Sequence, residues 1–271
     1  MSFDRLIRKI VETKNPTVVG LDPKLEYIPE ELKAEAYAKY GKTLEGAAEA
    51  ILSFNKGIID AICDVVPAVK PQCAFYERFG WQGMKALAET IAYAKEKGMF
   101  VIIDGKRNDI GSTMEAYAVA HLGEISINGA VAEPFGGDAL TVNGYLGTDG
   151  IKPLLGICNA KDKGIFALVK TSNPSSGELQ DREIDGEAVY SIMAGMCEAW
   201  GAESMGQYGY SAVGAVVGAT YPAQLAELRK KPPTPSSWCL GTAPRAELRP
   251  MWLEPLMRKA WGPLSTPPAP S

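Results

Sequence analysis

The densest group of reactive side chain types is Asp104-Gly105-Lys106-Arg107-Asn108-Asp109, followed by Ile110-Gly111-Ser112-Thr113. It comes directly after Phe100–Ile103, an apolar and β-branched run that reads as a strand. Residues two apart on a strand face the same side, so Asp104 and Lys106 project together. Asp109 lies just past that strand, where the pattern turns helical. Lys70 ends another strand-like run, Val65–Lys70. Neighbouring parallel strands lie about 4.8 Å apart, which lets Lys70 approach Asp104. Two lysines alternating with two aspartates keep one another ionised. Such a set is preorganised for a reaction in which charge moves. Asp104-x-Lys106-x-x-Asp109 alone also describes a solvated charged turn; Lys70 at the end of the preceding strand favours a site.

These groups need elements that hold them together. Strand-like runs occur at Thr17–Leu21, Val65–Lys70, Phe100–Ile103, Ala139–Val142, Ile165–Lys170 and Gly214–Ala219. Helical patterns occur at Leu44–Cys63, Trp81–Lys97, Ser112–Leu122, Glu187–Trp200 and Pro222–Lys231. Alternation of this kind means βα units and a parallel sheet. Six strands are legible before residue 232, and several end in polar groups: Asp22, Lys70, Asp104 and Lys106, Asn143, Thr171 and Ser172, Thr220. Active sites at the carboxyl ends of parallel strands belong to (β/α)₈ barrels and to doubly wound sheets. No GxGxxG or GxxxxGK[ST] loop supports a nucleotide-cofactor version. Gly136-Gly137-Asp138 precedes a strand, the wrong side for a phosphate loop.

Composition removes other classes. The chain has 271 residues, 46% of them apolar, which suffices for one large α/β domain. A net charge of −4 argues against nucleic-acid or anionic-membrane partners. No run of about 18 apolar residues suggests a membrane span, and the start lacks the apolar stretch of a signal peptide. Five cysteines, none in a CxxC pair, read as free thiols of a reducing compartment, so a cytoplasmic location is expected. The single histidine, His121, reads as an ordinary helix residue, partly buried or at the surface. Acid–base work therefore falls to lysine and aspartate. Met193, Met196 and Trp200 read as core, and Lys95, Glu96 and Lys97 as a solvated helix end.

Asp104-x-Lys106-x-x-Asp109-Ile110-x-x-Thr113 resembles the signature of orotidine 5'-monophosphate decarboxylases. Other stretches resemble the longer bacterial branch of that family: Val19-Gly20-Leu21-Asp22-Pro23, Val69-Lys70-Pro71-Gln72, Ala139-Leu140-Thr141-Val142-Asn143, Thr171-Ser172-Asn173-Pro174 and Val217-Gly218-Ala219-Thr220. The resemblance runs in order from about residue 3 to residue 231. It implies a TIM barrel that works as a homodimer with shared active sites, on orotidine 5'-phosphate, with no metal or organic cofactor. It also implies roles. Asp22 would hold ribose hydroxyls, and Ser172 the pyrimidine edge. Lys70 and Asp104 would organise charge beside the reacting carboxylate, and Lys106 would protonate carbon 6. Asp109 and Thr113 would reach into the partner subunit's site. Ser175-Ser176-Gly177-Glu178 reads equally as a flexible loop over the pyrimidine and as an ordinary connection.

Residues 1–231 thus read as the decarboxylase-like barrel, and 232–271 as an irregular tail. The tail holds ten of the nineteen prolines and three of the five tryptophans. The resemblance implies two more βα units there. They would carry a PGxGAQGG-like loop whose glutamine touches the phosphate and an NSSR-like end whose arginine grips it. Neither is present. We read the tail as the family's ending in a shifted frame: Gly-Leu-Gly-Ala-Ile-Val-Asn-Ser-Ser-Arg, one register over, yields Ala260-Trp261-Gly262-Pro263 and the residues after it. The last two units then count as missing or garbled, and weak folding or activity is expected. Two other readings are a magnesium-dependent sugar-phosphate enzyme of the same superfamily and an inactive remnant.

Overall fold

The computed structural model describes residues 2–218, Gln224, Leu228 and Cys239–Leu240. The helices are α1 (Ser2–Thr13), α2 (Glu30–Tyr40), α3 (Leu44–Ile62), α4 (Ala74–Glu77), α5 (Gly80–Glu96), α6 (Gly111–Leu122), α7 (Thr148–Lys161) and α8 (Val189–Gly201). The main strands are β1 (Val18–Leu21), β2 (Ala68–Pro71), β3 (Phe100–Arg107), β6 (Ala139–Val142), β7 (Gly164–Lys170), β10 (Val213–Val217) and β11 (Cys239–Leu240). Two hairpins, β4–β5 (Ile125–Ile127, Ala130–Ala132) and β8–β9 (Glu183–Ile184, Glu187–Ala188), lie outside the main sheet. The main sheet is parallel throughout, in the order β1-β2-β3-β6-β7-β10-β11. It is the curled sheet of a TIM barrel.

Strand parity sorts the core into two layers. Val69, Val101, Ile103, Leu140, Ile165 and Ala167 face the surrounding helices. Their sequence neighbours Ala68, Phe100, Ile102, Ala139 and Phe166 point inward and pack on Phe3, Leu6, Ile7 and Ile10 of α1. The first helix therefore plugs the amino end of the barrel. Phe3 sits 4.8 Å from Phe166, centroid to centroid. Burying such a ring contributes roughly 1.5–3 kcal/mol. A Cβ on Gly164 would stand 2.8 Å from the Phe3 ring, so only glycine admits the plug at that depth. Asp4 accepts the backbone N–H groups of Gln207 and Tyr208, and Arg5 pairs with Asp138, which fixes the helix in the opening.

Several expectations are corrected. β3 continues to Arg107, past the expected end at Ile103, and Lys106 within it has φ +47°. The helix expected from Glu187 begins at Val189, because Glu187–Ala188 pair with Glu183–Ile184 across an Asp185-Gly186 turn. Of the tail, the described residues are Cys239–Leu240, which stand as β11 beside β10, in register with Ala215 and Val216. Glu96 and Lys97 are exposed, as expected of a solvated helix end, whereas Lys95 is half-buried. Lys95 donates to the Gly136 carbonyl at 2.7 Å, and Lys97 pairs with Asp60 at 2.6 Å. Ala219, Thr220 and most of the expected helix Pro222–Lys231 lie outside the described residues; Gln224 and Leu228 are helical.

His121 is buried, at 3% exposure, with its ring stacked on Phe135 and Tyr117. Its Nε2 accepts from Arg107 Nε at 3.3 Å, so the neutral ring carries its proton on Nδ1. Burial first, and Arg107 second, push its pKa down from 6.5 to about 4. The unfolded chain therefore takes up this proton first, and stability is lost as pH falls from about 6.5 towards 4. The full span amounts to about 3 kcal/mol. Urea melts at pH 7.5 and 4.5 should show the native chain losing about 2–3 kcal/mol more than His121→Gln. Equal losses in the two proteins would mean that the folded ring already takes a proton at pH 4.5.

Candidate active site

The inward parity that sets Ala68, Phe100, Ala139 and Phe166 on the plug continues upward. One step along β2 it reaches Lys70, two steps along β3 Asp104, and one step along β6 and β7 Thr141 and Leu168. These side chains line a cavity of about 460 Å³ at the carboxyl mouth, with Lys106, Thr171, Ser172, Asn173, Gln180, Val216 and Gly218. The volume lies within the range of small-molecule sites.

Asp104 occupies the centre. Its Oδ2 accepts from Lys70 Nζ at 2.8 Å and from Gln72 Nε2 at 2.9 Å. Its Oδ1 accepts from Lys106 Nζ at 2.7 Å and from Thr141 Oγ1 at 2.7 Å. An ionised carboxylate offers about four acceptor positions, and all four are filled. Burial works against the charge, but Lys70 and the hydrogen bonds from Lys106 and Lys70 outweigh it and hold the carboxyl below its ordinary pKa. The two lysines differ in access. The Lys106 side chain is 47% exposed and the Lys70 side chain 12%. Lys106 is thus the group that can meet a ligand, while Lys70 supports the carboxylate from the wall. The φ of +47° at Lys106 costs roughly 1–2 kcal/mol for a residue with a Cβ. Its backbone N–H donates to Thr141 Oγ1 at 3.0 Å.

The far wall is the segment after β7. Lys170 is fully buried and donates to Asp181 Oδ1 at 2.6 Å, tying the two ends of this segment together. Thr171 and Gln180 exchange two hydrogen bonds: the Thr171 N–H donates to Gln180 Oε1, and Gln180 Nε2 donates to Thr171 Oγ1. Ser172 is presented from this braced loop. A Cβ on Gly218 would stand 2.9 Å from Ser172 Cβ, so the close crossing of the two chain segments requires glycine.

Of the residues singled out in the sequence, Lys70, Asp104, Lys106 and Ser172 share this cavity. Asp22, Asp109 and Thr113 do not line it. Asp22 is exposed just after β1, and Thr113 is exposed on α6. Asp109 is half-buried, and its Oδ1 accepts the N–H of Ile110. The alternating set within one chain is therefore Lys–Asp–Lys, without the second aspartate. Gln72, Thr141 and Gln180 went unread as site residues because neutral polar types carry no reactive signature. Strand parity from Asp104 and Lys70 was the one signal that could have found Thr141.

A TIM barrel with a buried, fully bonded aspartate and an accessible lysine at its carboxyl mouth defines an enzyme built for proton and charge transfer. The chain belongs to the orotidine 5'-phosphate decarboxylase / HUMPS family, whose sequence profile matches residues 19–234. It is 47% identical over 224 residues to the orotidine 5'-phosphate decarboxylase of Rhodopirellula baltica, covering 83% of this chain and 72% of that one. It is 40% identical to the Caldicellulosiruptor saccharolyticus protein of the same name, covering 80% and 71%. Among solved structures, Leishmania donovani OMP decarboxylase superposes with a TM-score of 0.68 at 30% identity, covering 89% of this chain and 78% of that one. Leishmania donovani UMP synthase gives 0.69 at 30%, covering 90% and 45%.

If Asp104 is the hub, its removal must strand Lys70 in the wall, while Lys106 can turn to water. Asp104→Ala should destabilise the fold by about 3 kcal/mol, the scale for an uncompensated buried charge. Lys70→Met leaves three donors on the carboxylate and should cost less than about half of that. Urea denaturation at pH 7 ranks the two; the reverse order would remove Asp104 from the centre.

Proposed function

We propose that this chain is a carboxy-lyase that converts orotidine 5'-phosphate to uridine 5'-phosphate in pyrimidine biosynthesis. The observation that carries this is the Lys70–Asp104–Lys106 network in the barrel mouth, in a chain whose relatives bear that name. Loss of carbon dioxide leaves the electron pair of the broken C–C bond on carbon 6, in an orbital that the ring π system cannot delocalise. A fixed ammonium beside that carbon stabilises the developing charge and then quenches it. Lys106 is that ammonium: its proton passes to carbon 6, and solvent returns one to the amine. Asp104 stands beside the departing carboxylate and is held anionic by Lys70, so the site disfavours the substrate's charge more than that of the transition state. This route needs neither a metal nor an organic cofactor.

Asp22, at the rim after β1, holds the ribose hydroxyls, and Ser172 holds the pyrimidine edge. Asp109 and Thr113 do not line the barrel-mouth cavity formed by the described residues of their own chain, which supports a homodimer in which they complete the partner subunit's site. Among the described residues no helix is long and apolar enough to cross a membrane. The four free cysteines among the described residues support a reducing, cytoplasmic location.

We infer further that residues beyond about 237 are read out of frame, with 1–231 as the domain proper. The third base of each codon, joined to the first two of the next, spells another sequence. From Trp238 to Glu247 one choice of synonymous codons gives Val-Pro-Gly-Tyr-Gly-Ala-Gln-Gly-Gly. From Lys259 to Ala269 the same register gives Gly-Leu-Gly-Ala-Ile-Val-Asn-Ser-Ser-Arg. The genetic code forces the Val at Trp238-Cys239 and the Gly at Trp261-Gly262 whatever the codon choice. These are the two phosphate segments that the resemblance calls for, in one register and in the right order. Sequencing the gene's 3' end from independently isolated DNA decides the matter; a reproducible open frame through Trp238 and Trp261 would end the idea.

The reaction is tested by following loss of orotidine 5'-phosphate by ultraviolet absorbance with chelator present, on this chain and on a chain with the two segments restored. Turnover should resist chelator and fall at least about 100-fold in Lys106→Ala, the scale of a lost general acid. Chelator-sensitive turnover would favour the magnesium-dependent reading. No turnover in either chain would favour the inactive remnant.

A further inference from the structure

Thr141, the next-to-last residue of β6, points into the barrel at 2% exposure, and its hydroxyl makes two contacts that belong to different parts of the machinery. It donates to Asp104 Oδ1 at 2.7 Å and accepts the backbone N–H of Lys106 at 3.0 Å. The directions are forced. A backbone N–H only donates and an ionised carboxylate only accepts, so the single hydroxyl hydrogen must point to Asp104 and a lone pair to Lys106.

The β3–β6 ladder explains why such a link is needed. Ile103 pairs with Leu140 in regular register, but the next pairing is Arg107 with Val142, so extra residues of β3 bulge between them. Lys106 lies in that bulge with φ +47°. Thr141 Oγ1 supplies the acceptor for its N–H at the interruption. Bulges re-aim side chains next to active sites, and a backbone in an unfavourable region persists only where its surroundings hold it. Here one oxygen atom holds the bulged backbone of Lys106 and the carboxylate to which the Lys106 side chain is paired.

We infer that Thr141 is a positioning residue, which sets the Lys106 ammonium against Asp104 through this shared hydroxyl. Its catalytic meaning rests on the decarboxylase reading; its geometric meaning does not. Thr141→Val keeps the shape and removes both hydrogen bonds. Thr141→Ser keeps both bonds and removes a methyl group. Thr141→Ala is a second lesion should the valine variant fail to fold.

Two measurements on the full chain separate the possibilities. The first is competitive acylation with limiting acetic anhydride, read by mass spectrometry as labelling of Lys106 relative to the exposed Lys85. Acylation needs the lysine nitrogen to reach the reagent, and a nitrogen clamped against Asp104 at 2.7 Å reaches it less often than one free to swing. Thr141→Val, or Thr141→Ala in its place, should therefore raise relative labelling at least about threefold, and Thr141→Ser should leave it at the native level. The second is turnover: the same lesion should lower kcat at least about tenfold with KM within about twofold, and serine should restore it. Native labelling in the lesion variants, or failure of serine to restore it, overturns the inference. If neither this chain nor the chain with the two phosphate segments restored shows turnover, that result counts against the decarboxylase reading, and the labelling contrast alone decides the placement of Lys106.

Discussion

Four donors from three adjacent strands and the residue after one of them converge on the Asp104 carboxylate. A carboxylate at this depth costs several kcal/mol unless its partners are in place. Those partners come from the ends of β2, β3 and β6, so the charge is tolerated only when all three strands hold their register. A slip of one residue would turn Lys70 or Thr141 into the helix-facing layer. The demand that makes the site reactive is thus also a demand on the fold. The barrel below it is apolar on both faces of the sheet, as parallel strands require, and only the top layer departs from that rule.

The six strands first read from the sequence stand in the structure in parallel order, because each is a compact apolar run with a polar end. The charged triad was legible because strand parity sets Asp104 inward and a neighbouring strand end brings Lys70, although Lys106 reaches the carboxylate from a bulge where regular alternation is broken. Its neutral supports were not. Gln72 and Thr141 matter only through what they touch, and no spacing rule shows that a bulge will bring Lys106 N–H to a threonine on another strand. Two hairpins went unread although their signals stand in the sequence. Asn128-Gly129 and Asp185-Gly186 each place two consecutive residues at positive φ, the demand of a tight hairpin turn. The α7 helix was hidden by Pro153 in its interior, a residue that usually breaks the pattern.

The region after residue 231 illustrates the opposite relation between sequence and structure. Its composition reads as irregular, yet Cys239 and Leu240 pair with β10 in parallel register. Two apolar residues suffice to occupy a waiting sheet edge, because the edge of β10 offers unpaired backbone groups whatever side chains approach it. The pairing says more about the demand of β10 than about the suitability of the segment that meets it.

The floor of the barrel has one further consequence. Phe3 and its neighbours on α1 fill the amino end, and Gly164 lets them sit deep. The reaction chamber is therefore a cul-de-sac at its base. Among the described residues that floor is packed shut, so whatever is released above it leaves through the upper part of the barrel.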